Sequence, residues 1–268
     1  MIQRRLLAAV SIALLGVGAA WLVTSATDRA DARVSNRAAG VGVFDPTSGS
    51  WQLRDTAGVT RSFFYGVPGD LPLLGDWDCD GEDTVGMYRP STGFVYLRNS
   101  NSFGVADLSF YFGIPGDIPF VGDWNGNGCD TLAIYRSATV FLSNALTTGP
   151  ASDQFFFGIP GDRPFAGDFD GNGTTDFGLH RPGSGFVYYA TGIPAGSVAE
   201  TAGSFYYGIP GDRVIAGDWD LDSDETVGLF RSSEERFYLR NDNSLGVADV
   251  SFSFGSAGRL PVAGDFAL

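Results

Sequence analysis

The sequence predicts an all-β fold: a five-bladed β-propeller of four-stranded blades, its ring closed by pairing of the N- and C-terminal strands. Three observations carry this expectation. First, an aromatic residue followed by Gly-x-Pro-Gly-Asp recurs at 65–70, 112–117, 157–162 and 207–212, with a degraded copy at 254–259. Second, a Gly-Asp pair follows each copy, with its aspartate at Asp76, Asp123, Asp168, Asp218 and Asp265. The spacing of 45 to 50 residues is the size of a propeller blade. Third, the two ends complement one another. Gly40-Val41-Gly42-Val43-Phe44 matches the strand after an acidic loop, as in 84–88. The chain stops just after 260–265, which matches the strand before such a loop. Pairing 260–265 beside 41–45 would complete a blade and remove the sheet edges that invite aggregation.

The chain in order begins with a segment unlike the rest. Arg4 and Arg5 precede an apolar run over 6–23 broken only by Ser11, and Thr24-Ser25-Ala26 and Ala30-Asp31-Ala32 offer small residues for cleavage. Residues 1–32 therefore read as a signal peptide or an N-terminal membrane anchor, 33–38 as a linker and 39–268 as the propeller. In either case the propeller lies outside the cytoplasm, secreted or at the cell surface. Within a unit, the second serves as the pattern: strands are expected at 118–122, 132–136, 139–143 and 153–157. Their runs are β-branched and aromatic, and Pro and Gly punctuate the joins. The net charge of −14 and pI near 4.3 argue against nucleic acid and anionic membranes as partners of the propeller. Any membrane contact is expected through the N-terminal segment alone, and the closed ring is expected to be a monomer.

The acidic loops are the residues with evident chemistry. Asp76, Asp78 and Asp80 alternate and are followed by Gly81. Alternating carboxylates can turn oxygen ligands toward a hard cation, with the glycine permitting a sharp turn. The pattern recurs as Asp123, Asn125 and Asn127, as Asp168, Asp170 and Asn172, and as Asp218, Asp220 and Asp222. The competing reading is a hairpin of solvated turns, with Asp and Asn bonding their own backbone.

The run Gly-Asp-Trp-Asp-x-Asp-Gly-x-Asp-Thr-x-Gly-x-Tyr-Arg-Pro at 75–90, with the aromatic-Gly phrases, resembles the FG-GAP repeats of integrin-type propellers and the VCBS-type repeats of bacterial exported proteins. The resemblance extends over about 39–268 and implies a hairpin between the first two strands of each blade that binds calcium through loop positions one, three, five and nine. Only Asp168, Asp170, Asn172 and Asp176 supply all four. The loop at Asp76 has Thr84 at position nine, with Asp83 one residue early. The loop at Asp218 has Ser223 for the glycine. The loop at Asp123 ends in Thr131 and carries little charge.

Other residues read structurally. Trp77, Trp124, Phe169, Trp219 and Phe266 share one loop position in every unit, which suits packing between blades better than carbohydrate stacking. Cys79 and Cys129 lie in corresponding loops of neighbouring units. In an exported chain two cysteines suggest one disulfide, and two free thiols are the alternative. His180, the single histidine, stands where other units have Tyr88, Tyr135 and Phe230, a strand position. The stretches 98–102 and 240–244 are near-identical and read as hairpin turns. No nucleophile–histidine–acid set and no phosphate-cradling loop can be assembled. The expected function is a calcium-stabilised, non-catalytic extracellular binding or adhesion module for a glycan or protein surface. A glycoside hydrolase using carboxylates around the channel is the alternative, with Glu234 and Glu235 as acids that break the repeat. A purely structural surface protein is the third reading.

Overall fold

A computed structural model describes residues 37–268. The leader or anchor expected at 1–32 and the first four linker positions lie outside the described residues. β1 (Gly40–Asp45), β2 (Ser50–Arg54) and β3 (Thr60–Phe64) begin the ring. β4 (Leu71–Gly75), β5 (Thr84–Arg89), β6 (Phe94–Leu97) and β7 (Leu108–Tyr111) form the second blade. β8 (Ile118–Gly122), β9 (Thr131–Arg136), β10 (Thr139–Leu142) and β11 (Asp153–Phe156) form the third. β12 (Arg163–Gly167), β13 (Asp176–Arg181), β14 (Phe186–Ala190) and β15 (Gly203–Tyr206) form the fourth. β16 (Arg213–Gly217), β17 (Thr226–Arg231), β18 (Arg236–Leu239) and β19 (Val250–Ser253) form the fifth, and β20 (Leu260–Gly264) ends the chain. β20 pairs antiparallel with β1, from Gly40 opposite Gly264 to Phe44 opposite Leu260, so the first blade has the order β20-β1-β2-β3. The five four-stranded sheets are a closed five-bladed propeller, as the complementary ends predict.

Hydrophobic patterning places each strand at its depth. β4, β8, β12, β16 and β20 pack side by side around the axis. The next strand out in every blade is buried on both faces for five consecutive residues, because neighbouring blades cover it from either side. That explains its near-continuous apolar run. The outermost strands keep mostly exposed residues, with a single aromatic turned inward, as at Phe110 in β7 and Phe155 in β11. The second-loop-position aromatics are buried or half-buried between blades: Trp124 stacks on Phe177 of the following blade, with ring centroids 5.0 Å apart.

The last residue of the recurring phrase anchors each blade. Asp70, Asp117, Asp162 and Asp212, each almost wholly buried, receive two bonds from Arg89, Arg136, Arg181 and Arg231 nineteen residues later. The same carboxylates accept the backbone N–H of Val67, Ile114, Ile159 and Ile209, which closes the turn. Each guanidinium also lies 4.5 to 4.8 Å above the ring of Tyr96, Phe141, Tyr188 or Tyr238. In the closing blade the charges are exchanged: Arg259 stands at the aspartate position and Asp45 at the arginine position. Asp45 accepts bonds from Thr47 and Ser48, which with the charge of Arg259 hold its carboxyl down at about 2.

A second set of bonds runs between blades. The backbone N–H of Asp83, Asp130, Thr175 and Glu225 donates to the carbonyl of Asp265, Asp76, Asp123 and Asp168 in the preceding blade, at 2.7 to 2.9 Å. Their side chains accept the N–H of those same residues in return. At the fifth seam Ala39 donates to the carbonyl of Asp218. The inner strand's terminal glycine makes room for this approach: a Cβ on Gly217 would lie 2.7 Å from that of Ala39.

Removing one clamp partner strands a buried charge, which outweighs the modest value of an exposed ion pair. Arg89→Met, in which Asp70 remains buried, should cost roughly 2–3 kcal/mol in denaturant unfolding, below the full buried-pair figure because Arg89 is partly solvated. Adding Asp70→Asn should recover part of that loss. A single-variant loss under about 0.5 kcal/mol would reduce the clamp to a surface pair.

Candidate functional site

The inner strands run from one face of the ring to the other, so their two ends define two candidate sites. At the far ends lie the acidic loops. In each, the first aspartate turns both oxygens onto the loop's own backbone. Asp168 accepts the N–H of Asn172 and of Gly173, and Asp76 accepts those of Asp80 and Gly81. Asp123 and Asp218 do the same. This forces left-handed backbone at loop positions four and six. Gly126 and Gly171, Gly128 and Gly173 adopt it freely, whereas Cys79, Leu221 and Ser223 hold it at φ of 66°, 67° and 78° against a side-chain clash.

The structure gathers three carboxylate triads, each with ligand atoms within 4.8 Å of one another: Asp76, Asp78 and Asp80; Asp168, Asp170 and Asp176; Asp218, Asp220 and Asp222. Burial, followed by repulsion from Asp170 and Asp168, pushes the Asp176 carboxyl up to about 7, and burial raises Asp168 too. Asp220 and Asp224 rise through burial and then the charge of Asp222. The donor set is hard, anionic oxygen, which fits a divalent cation such as calcium. Asn172 turns its Oδ1 to the N–H and hydroxyl of Thr174. In the loop at Asp123, the Oδ1 atoms of Asn125 and Asn127 accept the N–H of Asn127 and Cys129, and both Asp123 oxygens are held by the backbone too, so this loop gathers no carboxylate triad. Asp83 is the acceptor for the Asp265 N–H across the closing seam. A position-eight run of Asp83, Asp130, Thr175 and Glu225 was the signal for these seams in the sequence, one residue away from the positions weighed as ligands. Cys79 and Cys129 form a disulfide, Cα atoms 4.6 Å apart, tying the loops of the second and third blades together.

At the near ends the first residues of all five inner strands surround a cavity of about 310 Å³ on the ring axis. Three blades present Leu71, Ile118 and Leu260 to it. Two adjacent blades present Arg163 and Arg213 instead. Neither arginine forms an ion pair among the described residues, in contrast to the four clamp arginines. Burial, and then the charge of Arg163, lowers the pKa of Arg213. His180 on β13 pairs in register with Arg163 and also lines the cavity. At the equivalent position the hydroxyls of Tyr88 and Tyr135 donate to carbonyls of the next phrase, those of Ile114 and of Phe157 and Ile159. The shorter imidazole has no bond to either ring nitrogen, though only 1% of the residue is exposed. Burial, with Arg163 adding to it and Asp212 and Asp162 opposing, pushes its pKa down to about 4, so the ring is neutral near pH 7. Sequence reasoning placed His180 on its strand and passed over the two arginines. Their signal was a basic residue after the recurring phrase in only two units. The repeat-breaking Glu234 lies on a hairpin turn, bonded to Arg231 and the Tyr238 hydroxyl, and Glu235 accepts the N–H of Ala257.

No protein-family model matches this chain, and no curated protein matches it. Among solved structures, a lectin of Agrocybe aegerita, described as specifically recognising non-reducing terminal N-acetylglucosamine, is similar at 14% identity and a TM-score of 0.38. The match covers 79% of this chain and 76% of that one. The apo form of AztD from Citrobacter koseri is similar at 11% identity and a TM-score of 0.37, over 85% of this chain and 98% of that one. At these values neither likeness bears on function.

The buried histidine has a pH signature. Its pKa is about 4 in the fold against 6.5 for the free group. As pH falls through 6.5 the unfolded chain takes up a proton that the folded chain refuses, so stability declines toward pH 4 and no such term exists above 6.5. His180→Phe, the residue the fifth blade uses at this position, should become more stable relative to the parent by roughly 2–3 kcal/mol between pH 7.5 and pH 4 in urea unfolding. Parallel stability profiles would contradict the buried neutral imidazole.

Proposed function

We propose that this protein is a non-catalytic extracellular binding module, a propeller stiffened by calcium that presents its axial face to a glycan or protein surface. The observation that carries this reading is where the repeat breaks. The carboxylates are mostly committed to duties repeated in each blade: the clamps, the seams and the acidic loops. The singular residues converge on the axial mouth, where two arginines and a histidine replace the apolar and aromatic residues of the other units. A glycosidase needs two carboxylates flanking the bond to be cleaved. Among the described residues that line the mouth there is neither Asp nor Glu. Several loops ringing one axis suit recognition of an extended surface. The likeness of 75–90 to FG-GAP and VCBS-type repeats supports calcium in the loops, with Asp168, Asp170 and Asp176 as the richest set and Asp76, Asp78, Asp80 and Asp218, Asp220, Asp222 as further sites. When bound, the ion would neutralise these carboxylates and fix each hairpin against its neighbour. The basic and apolar N-terminal segment and the Cys79–Cys129 disulfide support export.

The test is retention on a panel of immobilised polysaccharides, glycans and surface proteins, in calcium and in chelator, with analysis of soluble products. The expected outcome is binding without released oligosaccharide. Chelator should lower the melting temperature, by an amount equivalent to roughly 2.7 kcal/mol if calcium stood at a hundred times its Kd. Asp168→Ala should remove the largest share of that effect. Released oligosaccharide that vanishes on mutation of one acid would overturn the reading in favour of the glycosidase. A melt unchanged by chelator would reject the role given to calcium.

A further inference from the structure

We infer that the axial mouth binds a small organic carboxylate with an apolar body, its anionic group held between Arg163 and Arg213 and its body against Leu71, Ile118 and Leu260. The inference rests on the binding-module reading and assigns that module a ligand chemistry and a site. Four observations support it. The first is charge placement. In a chain with a net charge of −14, four arginines at clamp positions each grip a buried aspartate, yet two arginines from adjacent blades face one cavity with no carboxylate partner among the described residues. Arg213 is half-buried there, and two like charges sharing a wall disfavour one another. An arriving anion would relieve both costs, and planar guanidinium forks match the geometry of a carboxylate.

The second observation is His180. It is nine-tenths buried and more, it lines the same cavity beside Arg163, and its donor and acceptor nitrogens both lack a partner. Buried polar groups in this state are uncommon, because each forfeits its hydration without a replacement bond. A ligand carrying oxygen atoms at that wall would supply the missing partner. The third is the opposite wall. Leu71, Ile118 and Leu260, each followed by a proline, give an apolar surface across from the cations, so a bare hydrated ion would leave half the site unused. The fourth is size. About 310 Å³ lies at the lower end of small-molecule pockets, enough for a compact acid or for one end group of a longer chain.

Titration calorimetry of the purified protein with benzoate, acetate, benzyl alcohol and inorganic phosphate as separate probes tests this. Benzoate carries both the charge and the apolar body, acetate the charge alone, benzyl alcohol the body alone, and phosphate a different oxyanion. Benzoate should bind at least tenfold more tightly than the other three, and more weakly as salt rises. Arg163→Gln and Arg213→Gln should each weaken benzoate at least tenfold. Both variants should melt at or above the parent temperature without ligand, since each removes an unneutralised charge, so lost binding cannot be ascribed to lost folding. His180→Phe should weaken benzoate while leaving the arginines in place. Equal binding of acetate and benzoate would overturn the apolar body, phosphate binding without benzoate would overturn the carboxylate, and no binding by any probe would overturn the site. Retention on the macromolecular panel with no benzoate binding would remove this inference alone. Arginine-dependent benzoate binding with an inert panel would remove the wider module reading and keep this one.

Discussion

Neighbouring blades are joined by a backbone hydrogen bond that is reciprocated at four of the five seams, and the rest of the molecule depends on that seam. The first residue of an acidic loop gives its carbonyl to, and its N–H is bonded by, the eighth-position residue of the following blade. Because the seam joins the inner ends of the blades, it sets the spacing of the strands around the axis. It can be complete only in a closed ring, which requires the last strand of the chain to lie beside the first. The pairing of β20 with β1 is therefore more than a tidy end: it places Asp265 where Asp83 can meet it, 182 residues away in the sequence.

The seam and the clamp divide the work of the fold and set the character of its two faces. The buried Asp–Arg clamps sit near the start of the inner strands and the acidic loops at their ends, so the propeller carries fixed, repeated chemistry on both sides. Against this background the residues that differ between blades stand out. On the loop face the differences are graded: carboxylates give way to asparagine at Asn125 and Asn127, and glycine to Leu221 and Ser223. On the axial face they are categorical, with two cations in place of aliphatic side chains and an imidazole in place of an aromatic ring. A graded change keeps one kind of oxygen-rich loop in every blade, whereas a categorical one gives the mouth a chemistry that a symmetric ring lacks. The two faces are separated by the five-residue inner strands, about 16 Å at 3.3 Å per residue.

Much of this architecture was legible in the sequence because repetition reports local geometry directly. The Pro-Gly turns, the strand runs and the loop glycines belong to single hairpins, so each is written in consecutive residues, and the complementary ends gave away the closure. The hairpin tips at Arg98 and Arg240 were equally local: each arginine folds back onto the carbonyls and the serine of its own loop. What the sequence hid were partners drawn from different blades. Asp83 looked like a misplaced metal ligand because its true partner, the N–H of Asp265, lies across the closing seam. Arg259 looked like decay of the recurring phrase because the matching exchange, Asp45, sits at the other end of the chain. Arg163, Arg213 and His180 look unremarkable one unit at a time and become a cluster only when inner strands stand side by side.

The closing seam decides whether the ring is complete, and amide hydrogen exchange measures it residue by residue. The N–H groups of Asp83 and Asp265 span the join, and those of Asp76 and Asp130 span an interior seam of the same design. In a closed ring the two pairs should be protected to the same degree and should lose protection together as denaturant is added. Exchange at the rate of an unstructured peptide for Asp83 and Asp265, with Asp76 and Asp130 still protected, would show an open arc of blades and contradict the ring on which both faces depend.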